Sequence, residues 1–418
     1  MRSELKLLTV LFCCVFASAA LAETFPTMKP EEVGFSSERL DRIGAVLKAD
    51  IDQGKIPGAV VFIAREGQMV YFESFGMQDK AAGLPMKKDS IFRVHSMTKP
   101  VIGVAAMILL EEGKLVLADP VSKYIPSFKD TQVAGQIKKS EDGKEAVEST
   151  VKPRNVMTIQ DLLRHTSGLS YWFWPPKALQ DMYLKAGLKG NDHTLAEMCD
   201  KLAKIPLVAD PGTKYVYSMS YDVLGRVIEV VSGIPLDKFL QERIYEPLGM
   251  NSSGFQLKDA DVQRLVYMDP KDFFYTDPTK PAKYISGGGG MVSTAMDYAR
   301  FAQMLLNGGQ LAGKRLLGPK TVAFMTSDHL GPLGNRDDGM YIPGRGYGQG
   351  FGFYVRAEDG HAYFPGNIGE YYKGGAGGTV FWVDPSEDLV AVFMITASAL
   401  RNHYRYLIKS LIYQAIIN

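Results

Sequence analysis

Cysteine is scarce in this chain, and no sign of charge prevails. Three cysteines occur among 418 residues, and two of them, Cys13 and Cys14, fall within the first 22. That leaves too few for a disulfide scaffold. Lysine and arginine number 47 against 46 aspartates and glutamates, so no basic excess supports nucleic-acid binding. The six histidines, His95, His165, His193, His329, His361 and His403, never pair at ligand spacing, and no metal is expected. There is no Gly-x-x-x-x-Gly-Lys-Ser/Thr phosphate loop, and no Gly-x-Ser-x-Gly elbow of an α/β-hydrolase. Glycine alternates from Gly344 to Gly352, but without the strand and helix that would make a dinucleotide loop, so no cofactor is expected. Internal repeats are absent. After residue 22 no apolar run reaches the about 20 residues that a bilayer span needs.

What is present is ordinary globular material. Apolar residues make up 46% and aromatics 11%, enough to bury a core that offsets chain entropy. A soluble enzyme or binding protein remains. Met1 to Ala22 reads as a secretory signal. Arg2 and Lys6 supply the positive end, Leu7 to Ala17 the apolar stretch, and Ala20-Leu21-Ala22 a small-x-small cleavage site. Cleavage would leave 396 residues (418 less 22) and a single cysteine, Cys199. Export without a disulfide points to a bacterial periplasm or exterior.

Along the mature chain, Ser36 to Ile51 predicts a helix capped by Ser36 or Ser37, with Leu40, Ile43, Val46 and Leu47 on one face. Ala59–Ala64 and Met69–Phe75, joined by a turn at Arg65–Gln68, predict a hairpin. Pro100–Leu110 repeats apolar residues at helical spacing, Lys129–Asn155 reads as a charged loop or ribbon, and Thr158 to about Leu248 reads as helical. Gly287–Gly290 breaks the chain before a helix at Thr294–Leu306. Three strands follow, at Phe351–Val355, Thr379–Val383 and Leu389–Ile395, and then a closing helix at Asn402–Ile416. Strands at both ends with helices between them imply one sheet built from the two termini, a helical insertion, and a site at their junction.

Ser-x-x-Lys occurs three times, at Ser3, Ser96 and Ser149. Only Ser96-Met97-Thr98-Lys99 follows a strand end, Ile91–Val94, and opens an apolar-faced helix. Residues three apart on a helix share a face, so the Lys99 amine can reach the Ser96 hydroxyl and, unprotonated, take its proton. A serine at a helix start also has backbone N–H groups near a developing oxyanion.

Five blocks in order carry a resemblance: Ser96–Pro100 with Glu111–Leu115 and Asp119–Val121; Thr158–Leu169; Pro211–Met219; Gly287–Gly289 with Ser293–Tyr298; and Lys373–Ala376 leading to Phe381–Pro385. From about Gly34 to the C-terminus the chain resembles the serine β-lactamase and penicillin-binding protein superfamily, its class C branch, and within that the family VIII carboxylesterases. The resemblance implies an α/β (α+β) fold, with an antiparallel sheet from both termini flanked by helices and a helical domain inserted. Residues 23–110 and 285–418 would form the sheet domain and 111–284 the helical one. It also implies that Ser96 is the acylated nucleophile, Lys99 its proton partner and Tyr217 a second base. The N–H groups of Ser96 and Ala376 would form the oxyanion hole. A phenol titrates near pH 10, so a phenolate at Tyr217 needs nearby cations, for which Lys99 and Lys373 are candidates.

The pattern departs in three places. Lactam enzymes of this branch carry Tyr-x-Asn, but here the third position is Met219, a weak thioether acceptor. An apolar residue there is the habit of the esterases. Lys373 points the other way, because lactam and cell-wall enzymes use a lysine here to recruit a substrate carboxylate. Gly374 replaces a threonine and removes a hydroxyl; with Gly375 it would border the substrate. Trp172 and Trp174, in the run Tyr171–Pro176, would wall an acyl pocket.

The expected function is therefore an exported serine carboxylesterase acting through a Ser96 acyl-enzyme, with possible side β-lactamase activity. A β-lactamase or D-amino-acid peptidase binding a substrate carboxylate at Lys373 is the alternative within the class. An inactive cell-wall sensor is the alternative outside it. The expected partner is a small ester, lactam or peptide substrate.

Overall fold

A computed structural model describes residues 25–174, 176–333 and 341–418. The predicted signal, with Cys13 and Cys14, lies outside the described residues, as does Pro175 of the aromatic run.

Helix α1 (Ser37–Asp52) starts where its cap predicts: the Ser36 side chain accepts the Arg39 N–H, and Leu40, Ile43 and Leu47 are buried. The hairpin β1 (Gly58–Arg65) and β2 (Gln68–Asp79) follows, with a short β3 (Leu84–Pro85) on its edge. The last third of the chain adds β4 (Tyr347–Gln349), β5 (Tyr354–Arg356), β6 (Tyr371–Gly374), β7 (Val380–Asp384) and β8 (Leu389–Ile395). Together they make one eight-stranded sheet in the order β4-β5-β6-β7-β8-β1-β2-β3. β8 pairs antiparallel with β1, from Ala59 opposite Ile395 to Arg65 opposite Leu389. The two ends of the chain thus join at the centre of the sheet.

The unbroken apolar run of β1 has a simple cause. Val60, Phe62 and Ala64 face one core, and Ala59, Val61 and Ile63 face another. A strand covered on both faces has no polar side to alternate with. The second core is closed by α1 and the C-terminal helix α6 (Arg401–Tyr413). On the first face lie α2 (Thr98–Glu111), every residue of which is buried from Thr98 to Leu109, and α5 (Ala295–Leu306).

Between these lie the inserted segments. The charged stretch after Lys129 folds into two small ribbons, Val133–Ala134 with Thr150–Val151 and Ile137–Lys139 with Glu145–Val147. The stretch read as helical from Thr158 is interrupted. It contains α3 (Ile159–Leu163) and α4 (Ser220–Ser232), with two further helices at Lys177–Lys185 and Leu195–Leu202 and long connections before and after them. Those connections carry the cleft residues Tyr171 and Tyr217, so the apolar residues that suggested helix there pack loops instead. Among the described residues no helix is long and apolar enough to cross a membrane. Cys199 is buried on a helix, and burial pushes its thiol well above the usual range.

Candidate active site

The position of Ser96 is set by a turn. After the short strand Phe92–Arg93, which pairs with Val292–Ser293, the chain enters a single 3-10 turn at His95–Met97 and continues as α2. His95 sits at φ 45°, a left-handed conformation that a non-glycine residue adopts only when held there. Thr98 Oγ1 donates to the His95 carbonyl at 2.6 Å. On the ring, Nε2 lies 3.0 Å from the Phe274 carbonyl and Nδ1 lies 3.4 Å from the Gly377 N–H. A carbonyl only accepts and an amide N–H only donates, so both contacts are met by the neutral Nε2–H tautomer. Burial pushes this imidazole down to about 4, which keeps it in that form.

Ser96 Oγ lies 2.8 Å from the Tyr217 hydroxyl and 3.5 Å from Lys99 Nζ. Lys99 is fully buried and donates to the Gly288 carbonyl at 2.6 Å and to Tyr171 OH at 3.2 Å. With Ser96 that makes three acceptors, matching the three N–H bonds of an ammonium. Gly288 is itself anchored, since its N–H donates to Asp222 Oδ1, which also accepts from Tyr284 and Ser286.

Tyr217 belongs to a loop pinned by the turn after α3. Thr158 and Asp161 form a reciprocal capping box, and Asp161 Oδ1 also accepts from Thr166 Oγ1 and Arg164. This holds the 165–170 segment, whose carbonyls at His165, Thr166, Gly168 and Ser170 accept the N–H groups of Val216, Gly212, Val208 and Met219. His165, at φ 59°, places its ring 4.7 Å from that of Tyr217. Burial, with Lys373 and Lys99 nearby, holds this imidazole well below its ordinary range. It acts as a neutral shelf for the phenol.

The opposite wall comes from the end of β6. A Cβ on Gly375 would collide with the Val94 carbonyl, so only glycine lets β6 press against the chain entering Ser96. Ala376, the next residue, lines the same cleft as Ser96. Lys373 is one turn of the pleat away and fully buried. Among the described residues its Nζ finds no hydrogen-bond partner, but it lies 3.6 Å from the centre of the Tyr354 ring and 5.1 Å from that of Tyr217. Burial, then the charges of Lys99 and Arg405, push its amine well below the lysine range. Gly374 and Gly375 line the cleft, but the fully buried Lys373 is not among its lining residues.

The cleft has a volume of about 720 Å³. Trp172, Phe173, Trp174, Phe273 and Phe274 make an aromatic wall on one side, with Met219 at the base. Arg401 of α6 lies over the Phe274 ring of this wall at 5.9 Å, and Arg405 also lines the cleft. Ser96, Lys99 and Tyr217 therefore meet as the motifs suggested, and Met219, Trp172, Trp174, Gly374, Gly375 and Ala376 all border the cleft. Sequence reading passed over Phe273 and Phe274, although three consecutive aromatics at Phe273–Tyr275 were a visible signal. It passed over Asp222, the Lys99 contact of Tyr171, and Arg405, none of which has a local signature.

The beta-lactamase family model matches residues 43–409. Rv1367c of Mycobacterium tuberculosis is 34% identical over 370 residues, 85% of this chain and 90% of its own length. Esterase EstB of Burkholderia gladioli is 30% identical over 386 residues, 86% of this chain and 90% of its own. Among solved structures, EstCE1, described as a hydrolase with promiscuous acyltransferase activity, superposes with a TM-score of 0.75. It is 29% identical, with 91% of this chain and 99% of that one covered.

Proposed function

The chain belongs to the beta-lactamase family, and on that premise we propose that it is an exported serine esterase working through an acyl-enzyme on Ser96. The observation that carries this reading is the contact of Ser96 Oγ with the Tyr217 hydroxyl, with buried Lys99 at its other side. Ser96 attacks the ester carbonyl while its proton passes to the Tyr217 oxygen. The carbon–oxygen bond to the alcohol then breaks, and the alcohol takes that proton. Water repeats the sequence, giving its proton to Tyr217 and releasing the acid from Ser96. The N–H groups of Ser96 and Ala376 receive the oxyanion in each step. Lys99, with its three acceptors, supplies positive charge beside Tyr217 rather than a base. Lys373 completes the electrostatics. Its Nζ lies 5.1 Å from the centre of the Tyr217 ring, and a positive charge there favours the phenolate over the phenol.

Ester specificity is supported by Met219 at the base of the cleft, where no amide is available to hold a lactam side chain. It is supported as well by the esterase relatives. Turnover of a neutral p-nitrophenyl ester, a cephalosporin and an acyl-D-Ala-D-Ala peptide should fall in that order. Faster turnover of either carboxylate-bearing substrate would overturn the reading. Export rests on residues 1–22; protein recovered from the periplasm should begin at Glu23, and an intact Met1 terminus there would refute cleavage.

Lys373→Met separates the two roles given to this lysine. Acting on Tyr217, it should lower kcat roughly ten- to hundredfold on neutral and carboxylate-bearing esters alike. Stability should move the other way. The folded chain holds this proton less tightly than the unfolded one, so the penalty is full below the folded pKa. It fades as pH rises toward about 10.4. The variant should therefore gain roughly 2 °C in Tm at neutral pH, and less near pH 10. Activity lost only on carboxylate-bearing substrates would return Lys373 to substrate binding.

A further inference from the structure

Gly374, where related motifs place a threonine, removes a hydroxyl that the reaction scheme leaves unreplaced. The structure fills the gap from a distant element. A Cβ on Gly374 would lie 2.6 Å from Arg405 Nε and 2.7 Å from Nη2, so the guanidinium of α6 occupies the space a threonine side chain would take. From there Arg405 Nη2 donates to the Gly375 carbonyl, which also accepts the Gly378 N–H at 3.1 Å. Among the described residues no carboxylate forms an ion pair with Arg405, and its Nε is buried without a partner.

The Gly375 carbonyl and the Ala376 N–H belong to one peptide unit. In a trans peptide they point in opposite directions. Two donors fixing the carbonyl from one side therefore aim the N–H to the other, and a cationic donor also draws electron density through the amide. Hydrogen bonds in a chain strengthen one another in this way, and charge-assisted ones are roughly twice as strong as neutral ones.

We propose that Arg405 is a positioning residue of the oxyanion hole, which polarises the Gly375–Ala376 peptide from behind and has taken over the place vacated at Gly374. This rests on the esterase reading, in which Ala376 N–H receives the oxyanion. The polar contact that a threonine hydroxyl would offer the substrate directly is here replaced by a positive charge acting through the backbone. It consequently serves any acyl group, whatever the substrate carries.

The test uses the full-length mature enzyme with Arg405→Met, Arg405→Lys, Gly374→Thr and the Gly374→Thr/Arg405→Met double variant. Kinetics are read on a neutral aryl ester and on an ester bearing a carboxylate in its alcohol. An aryl trifluoromethyl ketone, which adds to the serine as a tetrahedral oxyanion, is the inhibitor. Arg405→Met should lower kcat about tenfold on both esters with KM within about twofold, and weaken the ketone by a similar factor. Arg405→Lys should recover part of the loss. Gly374→Thr, by displacing the guanidinium, should match Arg405→Met, and the double variant should be no worse than either single one. The acyl-enzyme carbonyl stretch, read by infrared difference spectroscopy, should move to higher frequency in Arg405→Met as polarisation is lost. The stretch needs only enough folded variant to acylate, so reduced yield does not blunt it. Unchanged kcat, ketone affinity and stretch would overturn the proposal. So would a loss confined to the carboxylate-bearing ester, which would make Arg405 a direct substrate contact. A fall in stability with no change in the stretch would leave a packing role only and overturn it equally. If the wild-type enzyme turned over neither ester, the esterase reading itself would have failed, which is a separate outcome.

Discussion

Ser96→Ala abolishes ester turnover: kcat/KM on a p-nitrophenyl ester should fall by about 10⁴ or more, to the level of the buffer-catalysed reaction plus what binding alone provides. The size of the effect follows from what the hydroxyl does. In the proposed reaction its oxygen bonds to the acyl carbon, and among the described residues of the cleft none is placed to replace it. Lys99 is held by Gly288 and Tyr171, and Tyr217 faces Ser96 itself. Alanine leaves the backbone N–H of residue 96 in place, so the oxyanion site and the cleft survive, and substrate should still bind as a competitive ligand. Ser96 is partly exposed at the start of α2, and its loss empties no core. Thermal stability should stay within about 1 °C, as surface-type changes usually do. Residual activity within tenfold of wild type would place the nucleophile elsewhere.

Tyr217→Phe should lower kcat by about 10³ with KM within about threefold, the range of a lost general acid–base group. Phenylalanine keeps the ring that rests on His165 at 4.7 Å and the loop bonds between 208–219 and 165–170, which are main-chain apart from the contact of His165 Nδ1 with Ser218 Oγ. What disappears is the oxygen 2.8 Å from Ser96 Oγ. Because the same oxygen serves acylation and deacylation, both steps should slow, and a pre-steady-state burst of p-nitrophenol should not grow relative to wild type. Lys99→Met, by contrast, removes charge without removing that oxygen. A Tyr217→Phe enzyme with near-normal kcat would shift the base to Lys99, for which the ammonium-like set of three acceptors would then have to be abandoned.

The catalytic constellation was legible because its spacing is local. Ser96 and Lys99 are three apart, across the 3-10 turn and the first turn of α2, and the blocks around Tyr217 and Lys373 are short words in a known order. The joining of the two termini was legible too, since apolar strand runs at both ends with helices between admit few sheets. Three strands of the sheet escaped notice, the first of them β3, which is only two residues long. β4 lies in glycine-rich sequence, and β6 begins at Tyr371 and ends at Gly374, where glycine weakens every strand propensity. The connections at 164–176 and 203–219 read as helix because their apolar residues are buried, a property shared by buried loops. Lys373 shows the sharper limit. Its identity allowed both a carboxylate anchor and a cation serving Tyr217, and its place behind Tyr217 depends on Tyr354 from another strand. Arg405, 31 residues beyond Gly374 in the chain, shares its space only once α6 has folded across β6. Contacts of that kind leave no local pattern to read.

Acyl-enzyme formation at Ser96 is the point on which the chemistry turns. Mature enzyme mixed with a p-nitrophenyl ester and quenched in acid should gain the mass of one acyl group. Peptide mapping should place it on the fragment containing Ser96, and the Ser96→Ala enzyme should gain nothing. An adduct on another residue, or sustained turnover of the ester by Ser96→Ala enzyme, would contradict the mechanism at its first step.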